Sequence, residues 1–383
     1  MDSPFQFGTL ATDKNFTDRV KERAELKQML CSGINVALIS PRRWGKSSLV
    51  KKATDEIATE RKEYRICLLD AFSMNSEAEF YSAFASGIIA CATGKLERAL
   101  KDATRYLGGL IPGITLGDNA SGALTINLQY TPREQDKLEI LNLPEKLAID
   151  KGLHIIVCVD EFQELVKLKE YPDMEGKMRS VWQKQQRVSY CFYGSKKHMM
   201  LKVFNDSQKP FYRFANIVFM PKIRKEDWIP FIVGKFESTG KRISKEDAAQ
   251  ICDWVDCHSW YLQQLCYFIW VSTEKEVDNQ ILTTSLQRLV DVNAPMFMSD
   301  VEKLTPSQRE MLRAIAAGEK NLYAENVRSR FHLGNPNTIK RNKEILQEKS
   351  FIVSDEGTLS IADPVFKIWY DKRHVSIYLP SGT

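Results

Sequence analysis

At 383 residues, 43% hydrophobic and 27% charged, the chain has the composition of an ordinary globular protein with room for two or three domains, which excludes a disordered or fibrous polymer. Its net charge of +5 is a mild basic bias that permits contact with nucleic acid without arguing for it. The eight cysteines lack the spacing of a disulfide framework, Met1 to Asp13 shows no basic start followed by an apolar run, and no apolar stretch is long enough to span a bilayer, so a cytoplasmic location with reduced thiols and no membrane partner is expected.

Residues Asn15 to Leu30 have helical spacing, with Val20, Ala24, Leu26 and Met29–Leu30 on the apolar positions. An apolar strand, Asn35 to Ile39, follows and ends in Ser40-Pro41-Arg42-Arg43-Trp44-Gly45-Lys46-Ser47-Ser48, after which a helical pattern runs from Leu49 to about Arg61. Arg65 to Asp70 reads as a second strand and Glu77 to Tyr106 as a long helix. Between Gly108 and Thr131, alternating stretches punctuated by Gly, Pro, Asn and Asp predict an inserted β-hairpin with its turn near Asp118 to Gly122. A helix over Pro132 to Lys151 leads into a third strand, His154 to Val159, and Arg187 to Tyr193 and Ala215 to Met220 read as the fourth and fifth.

Short apolar strands alternating with helices predict an α/β fold with a mostly parallel sheet covered on both faces. The pattern is helical from Lys222 to about Ser272, as in an all-α lid. From Leu304 the chain offers three helices (beginning at Thr305-Pro306, Tyr323 and Pro336) and a hairpin across Asp355-Glu356-Gly357, which is a winged-helix pattern. The expected division is a P-loop core over 1–221 with its hairpin at 108–131, a lid over 222–300 and a winged helix over 301–383. Cys252, Cys257, His258 and Cys266 include zinc-ligand types, but without paired CxxC spacing and among Trp, Tyr and Leu, so core packing is expected.

The segment Ser40 to Ser47 fills the frame of a phosphate-binding loop, with Ser40 where the first glycine of GxxxxGK[ST] would stand. Backbone amides from Arg43, Trp44, Gly45, Lys46, Ser47 and Ser48 lie where a helix N-terminus can receive an anion. Gly45 allows close approach, Lys46 can bridge β- and γ-phosphates, and the Ser47 hydroxyl can join Mg²⁺. A plain glycine-containing turn would have the same residues; the strand before and the helix after separate the two readings. Ile155 to Val159 followed by Asp160-Glu161 puts acids at the tip of a buried strand, where Asp160 can hold the Mg²⁺ shell and Glu161 can polarise a water. Two solvated acids at a strand end are the bland alternative, less economical downstream of a P-loop. ATP and Mg²⁺ are therefore the expected ligands.

Together these segments resemble the archaeal-type ATPase family, a branch of the AAA+ and STAND P-loop proteins. The resemblance spans nearly the whole chain: Phe16-Thr17-Asp18-Arg19, the Pro41 to Leu49 loop, Val159-Asp160-Glu161-Phe162-Gln163-Glu164-Leu165, Tyr193-Gly194-Ser195, Pro210-Phe211-Tyr212-Arg213-Phe214, His258-Ser259-Trp260-Tyr261-Leu262 and Ile361-Ala362-Asp363-Pro364-Val365-Phe366. It implies an ATP-driven or ATP-gated switch with a sheet, a helical lid and a winged helix. It also implies a γ-phosphate sensor at Ser195 and an arginine finger at Arg213, with Arg179 and Arg187 as competitors. Two departures stand out, Ser40 at the loop start and Cys257-His258-Ser259-Trp260 in the lid, where relatives carry a Gly-Gly-x-Pro-like run.

In the third C-terminal helix, Ile339, Ile345 and Leu346 are expected to face inward, leaving Asn337, Thr338, Lys340, Arg341 and Lys343 outward, with Arg328 and Arg330 on the helix before. Such side chains over 336–346 suit DNA phosphates and base edges. They equally suit a solvated face, and winged helices also serve protein contacts. The acidic wing, Ser354 to Thr358, weighs against DNA. A protein client or a homo-oligomer is the other partner class, and a finger arginine acting in trans would require the oligomer.

Overall fold

The five apolar segments form one sheet of parallel strands in the computed structural model: β1 (Val36–Ile39), β2 (Tyr64–Asp70), β5 (His154–Asp160), β6 (Val188–Gly194) and β7 (Asn216–Phe219), in the order β2-β5-β6-β1-β7. The structure describes residues 3–8, 19–93, 105, 113–116, 124–127, 133–355 and 357–375. These gather into two compact units, Arg19–Pro221 on one hand and Lys222–Thr383 with Met1–Asp18 on the other.

In the first unit β1 and β6 are buried at every position, as strands covered on both faces must be. Asp70 pairs with Asp160, Val159 with Phe192, and Ile39 with both Gly194 and Phe219, so the carboxyl ends of all five strands share one edge. Around the sheet lie α1 (Val20–Cys31), α2 (Lys46–Glu60), α3 (Glu77–Thr93), α4 (Glu134–Lys151), α5 (Tyr171–Trp182) and α6 (Lys197–Phe204). Ile140, Val157, Trp182, Phe192 and Phe204 belong to its core. The expected hairpin is present as β3 (Gly113–Leu116) antiparallel to β4 (Leu124–Asn127), with Ile114 opposite Ile126; its expected turn, the far end of the helix after Glu77 and residues 16–18 lie outside the described residues.

The second unit opens with α7 (Lys225–Glu237), α8 (Lys245–Trp254) and α9 (Ser259–Ser272). The next helix, α10 (Asn279–Glu302), falls largely within the expected helical lid over 222–300, although the sequence pattern reads as helical only to about Ser272. The winged-helix elements follow: α11 (Pro306–Ala316), α12 (Glu325–Arg330), α13 (Pro336–Glu348) and the hairpin β8 (Ile352–Asp355) with β9 (Thr358–Ile361). A short helix α14 (Pro364–Tyr370) comes last among them, started by Asp363, whose Oδ1 accepts from the Val365 and Phe366 amides. Phe297 of α10 packs on Phe366 and Trp369 with ring centroids 5.4 and 5.7 Å apart, and the Tyr261 hydroxyl donates to Asp363 Oδ2 at 2.6 Å.

The predicted start of α11 is a full capping box, Thr305 Oγ1 accepting from the Gln308 amide while Gln308 Oε1 accepts from that of Thr305. Cys252 and Cys266 sit in this unit's hydrophobic core with Cys257 packed against it. Phe5 also joins that core, 5.3 Å from the Phe236 ring. No helix among the described residues is long and apolar enough to cross a membrane.

Candidate active site

β1 ends at Ile39, and the chain turns through Pro41 to Gly45 before α2 begins at Lys46. Ser40 is fully buried; its amide extends the ladder to the Gly194 carbonyl and its hydroxyl donates to that of Pro41, so a serine is satisfied where a glycine was anticipated. Arg43 and Gly45 both adopt positive φ, 64° and 90°, which lets the turn double back onto the first helical turn. For Gly45 that conformation is the reason for glycine, since an added Cβ would meet nothing within 4 Å.

The order of strands puts β6 between β1 and β5. Side chains from the start of α2 therefore meet those at the end of β5 across the end of β6. Ser47 Oγ donates to Asp160 Oδ2 at 2.7 Å. Lys46 Nζ lies 3.9 Å from Asp160 Oδ1 and donates to Glu161 Oε1. Ser195, next after β6, donates to Glu161 Oε2 through its hydroxyl at 2.9 Å. Glu161 itself has left-handed backbone, φ 46° and ψ 42°, which turns the chain off the strand into a short 3-10 segment over Phe162–Lys167.

The electrostatics separate the two acids. Burial pushes the Glu161 carboxyl up, but the Lys46 charge and the hydrogen bonds from Lys46, Gln163 and Ser195 outweigh it and hold the group below the ordinary glutamate range. Burial dominates at Asp160 and holds its carboxyl above the usual value, with Lys46 and the Ser47 bond offsetting only part. Among the described residues no group of three or more His, Cys, Asp and Glu gathers as a metal cluster. The Ser47 hydroxyl and Asp160 carboxylate are hard oxygen donors of the kind that hold Mg²⁺ with water completing the shell.

The resemblances of the chain follow this geometry. Residues 295–372 match the family model described as "Probable winged helix domain". No curated protein matches the chain. Among solved structures it resembles a Walker-type ATPase of Pyrococcus abyssi, with a TM-score of 0.68 at 18% identity over 94% of this chain and 97% of that one. It also resembles the ORC2 protein of Aeropyrum pernix in its ADPNP–ADP complexes, with a TM-score of 0.61 at 14% identity over 97% and 98% of the two chains.

The fold is the one these solved structures share, a P-loop α/β core with a C-terminal winged helix.

Within that P-loop fold, Lys46, Ser47, Asp160, Glu161 and Ser195 converge. Arg213 does not join them: it is exposed, its guanidinium lies over the Tyr212 ring at 5.1 Å, and among the described residues its side chain has no hydrogen bond or ion pair to the cluster. Arg179 stacks over Phe214 at 4.7 Å, and Arg187 precedes β6 at the opposite edge of the sheet from Gly194, so neither joins the cluster within this chain. Gln163 belongs to the site and was not singled out from the sequence as a site residue; fully buried, it donates from Nε2 to Glu161 Oε2. The only advance signal was its place two residues beyond the Asp-Glu pair.

On the winged helix, Ile339 and Leu346 of α13 are buried as anticipated, but Ile345 is only half-buried. Asn342 is the third buried position, its amide donating to Ser307 Oγ at 2.7 Å. Lys340 and Arg341 are exposed and Lys343 half-buried; among the described residues none of the three has an ion-pair partner. Arg328 and Arg330 are committed within the domain, to the Gly334 carbonyl at 2.9 Å and to Glu319.

Proposed function

We propose that this chain is an ATP-hydrolysing switch protein with a winged-helix output module. The observation that carries the reading is the meeting of Lys46 and Ser47, from the first turn of α2, with Asp160 and Glu161 at the end of β5. MgATP, when bound, supplies the reactive γ-phosphoryl group and the cation that neutralises developing charge. Lys46 exchanges its carboxylate partner for phosphate oxygens, and the amides from Arg43 to Ser48 receive the remaining anionic charge. Ser47 and Asp160 hold the cation. Glu161 orients water and accepts a proton at Oε1, while Ser195 steadies Oε2. Arg213, exposed and in left-handed backbone at φ 55°, is free to act as a finger on a second copy, in which case specific activity rises with protein concentration.

The deciding experiment is steady-state MgATP hydrolysis by wild type, Lys46→Ala and Glu161→Gln, alongside direct ATP binding. Loss of binding in the first variant and loss of turnover alone in the second supports the reading. Absence of nucleotide binding by wild type overturns it.

A second reading, a nucleotide-gated DNA-binding regulator with little turnover, draws on Lys340, Arg341 and Lys343 of α13, which have no ion-pair partner among the described residues. Its test is duplex DNA affinity against salt: Lys340→Ala and Arg341→Ala should each lower the slope of log K on log salt by about 1 if they touch phosphates. No salt-dependent binding by wild type removes this reading.

A further inference from the structure

Gln163 is a poor residue for packing alone. It is fully buried, and its Oε1 has no hydrogen-bond partner among the described residues, whereas a methionine of similar volume would fill the space without burying a lone acceptor. The orientation of the amide follows from chemistry, because a carboxylate only accepts and so Nε2 must face Glu161. The donors on Glu161 Oε2 (Gln163 Nε2 with the hydroxyl and the backbone amide of Ser195) are all neutral, whereas Oε1 receives the Lys46 ammonium.

The outward oxygen of the amide lies against Gly194. A Cβ at that position would stand 1.9 Å from Gln163 Oε1, 3.1 Å from its Cδ and 3.1 Å from Met200 Sδ. Gly194 is an ordinary strand residue without positive φ, so its backbone does not call for glycine. Space does. β6 lies between the two strands that carry the Lys46 and Glu161 ends of the site, and the Gln163 side chain occupies the room above its last residue.

We propose that Gln163 is a positioning residue that clamps Glu161 through Oε2, and that Gly194 is glycine to leave Gln163 the room to do so. This rests on Glu161 being the residue that orients water. The clamp fixes the rotation of the carboxylate, so that Oε1 alone faces the water once Lys46 turns to phosphate.

The test uses the full chain. Gln163→Met keeps the volume and loses the donor: turnover should fall roughly 10- to 100-fold while affinity for a non-hydrolysable ATP analogue stays within about twofold. Gly194→Ala should lower turnover in the wild-type background and add much less in a Gln163→Ala background, where the obstructing amide is gone and only the end of the flexible Met200 side chain, 3.1 Å away, must shift. Unchanged turnover in Gln163→Met, or a full additional loss from Gly194→Ala in Gln163→Ala, overturns the proposal. A second measurement needs no nucleotide: urea unfolding of Gln163→Met, Glu161→Ala and the double variant. A shift in the double variant smaller than the sum of the two supports the clamp, and strict additivity overturns it. If wild type hydrolyses no ATP, the ATPase reading fails on that count, and the unfolding cycle still decides whether Gln163 holds Glu161.

Discussion

Ser47 Oγ and Asp160 Oδ2 stand 2.7 Å apart, joined by a hydrogen bond that links the first turn of α2 to the end of β5 across the intervening β6. Neither residue is placed by its sequence neighbours; the strand order does it. A hydroxyl and a carboxylate already this close need little rearrangement to share one cation. Ser47→Ala should therefore raise the Mg²⁺ concentration needed for half-maximal nucleotide binding by roughly 10-fold or more, with Ser47→Thr near wild type. Titration of nucleotide binding against Mg²⁺ checks this, and equal Mg²⁺ requirements for wild type and Ser47→Ala would remove Ser47 from the cation site.

Glu175 on α5 gives a pH signature separate from the active site. It is only 1% exposed, its Oε1 lacks a hydrogen-bond partner among the described residues, and burial raises its carboxyl above the ordinary range despite Lys209 and a bond from the Phe211 amide; Asp206 adds to the rise. The folded chain holds this proton more tightly than the unfolded one. The associated stability is full below the unfolded value, near about 4.3, and is lost as pH rises through the folded value. Glu175→Gln, always neutral, should match wild type near pH 3.5 and become the more stable of the two as pH approaches 7. Urea midpoints across that range are the measurement, and a gap that shrinks with rising pH would contradict it.

Gly87 should resist the substitution that helix propensity favours. An added Cβ would lie 2.8 Å from Cys67 Sγ and 2.9 Å from Leu69 Cδ2, so α3 rests on β2 through its bare backbone. Overpacking of this kind is destabilising by about 1–3 kcal/mol, against a propensity gain of up to about 1 kcal/mol. Thermal unfolding of Gly87→Ala should show a net loss.

In the second unit both oxygens of Asp363 are engaged, Oδ1 by the Val365 and Phe366 amides that start α14 and Oδ2 by the Tyr261 hydroxyl. Tyr261→Phe should cost about 1–2 kcal/mol and Asp363→Ala about 2–3 kcal/mol, having lost a cap as well. The double variant should be no worse than Asp363→Ala alone. Limited proteolysis of the region around α14, against urea, reads this without assuming that the whole chain unfolds in one step.

The sheet was legible because parallel strands buried on both faces must be apolar throughout, and segments such as Ile155 to Val159 have that signature. The loop was legible because phosphate chemistry restricts what can follow such a strand. α10 was not delimited within the expected lid for an equally physical reason: its buried face includes Ser285, Pro295 lies inside it, and Val292, Met296 and Met298 place apolar side chains on its exposed face. Asn342 took a core position that apolar spacing assigns to Ile345, because the Ser307 hydroxyl one helix away satisfies its amide. Gln163 belongs to the same class. Its role depends on a left-handed turn at Glu161 and on a glycine from another strand, and neither is visible from the residues beside it.

That left-handed turn sets backbone preference against side-chain contacts at a single codon. An ordinary side chain in this conformation is disfavoured by roughly 1–2 kcal/mol relative to the right-handed region, a handicap that glycine escapes and asparagine reduces. The Lys46 ion pair and the Gln163 and Ser195 hydrogen bonds offset that handicap, so a thermostability screen of random variants should keep the glutamate even though glycine or asparagine suits the backbone better.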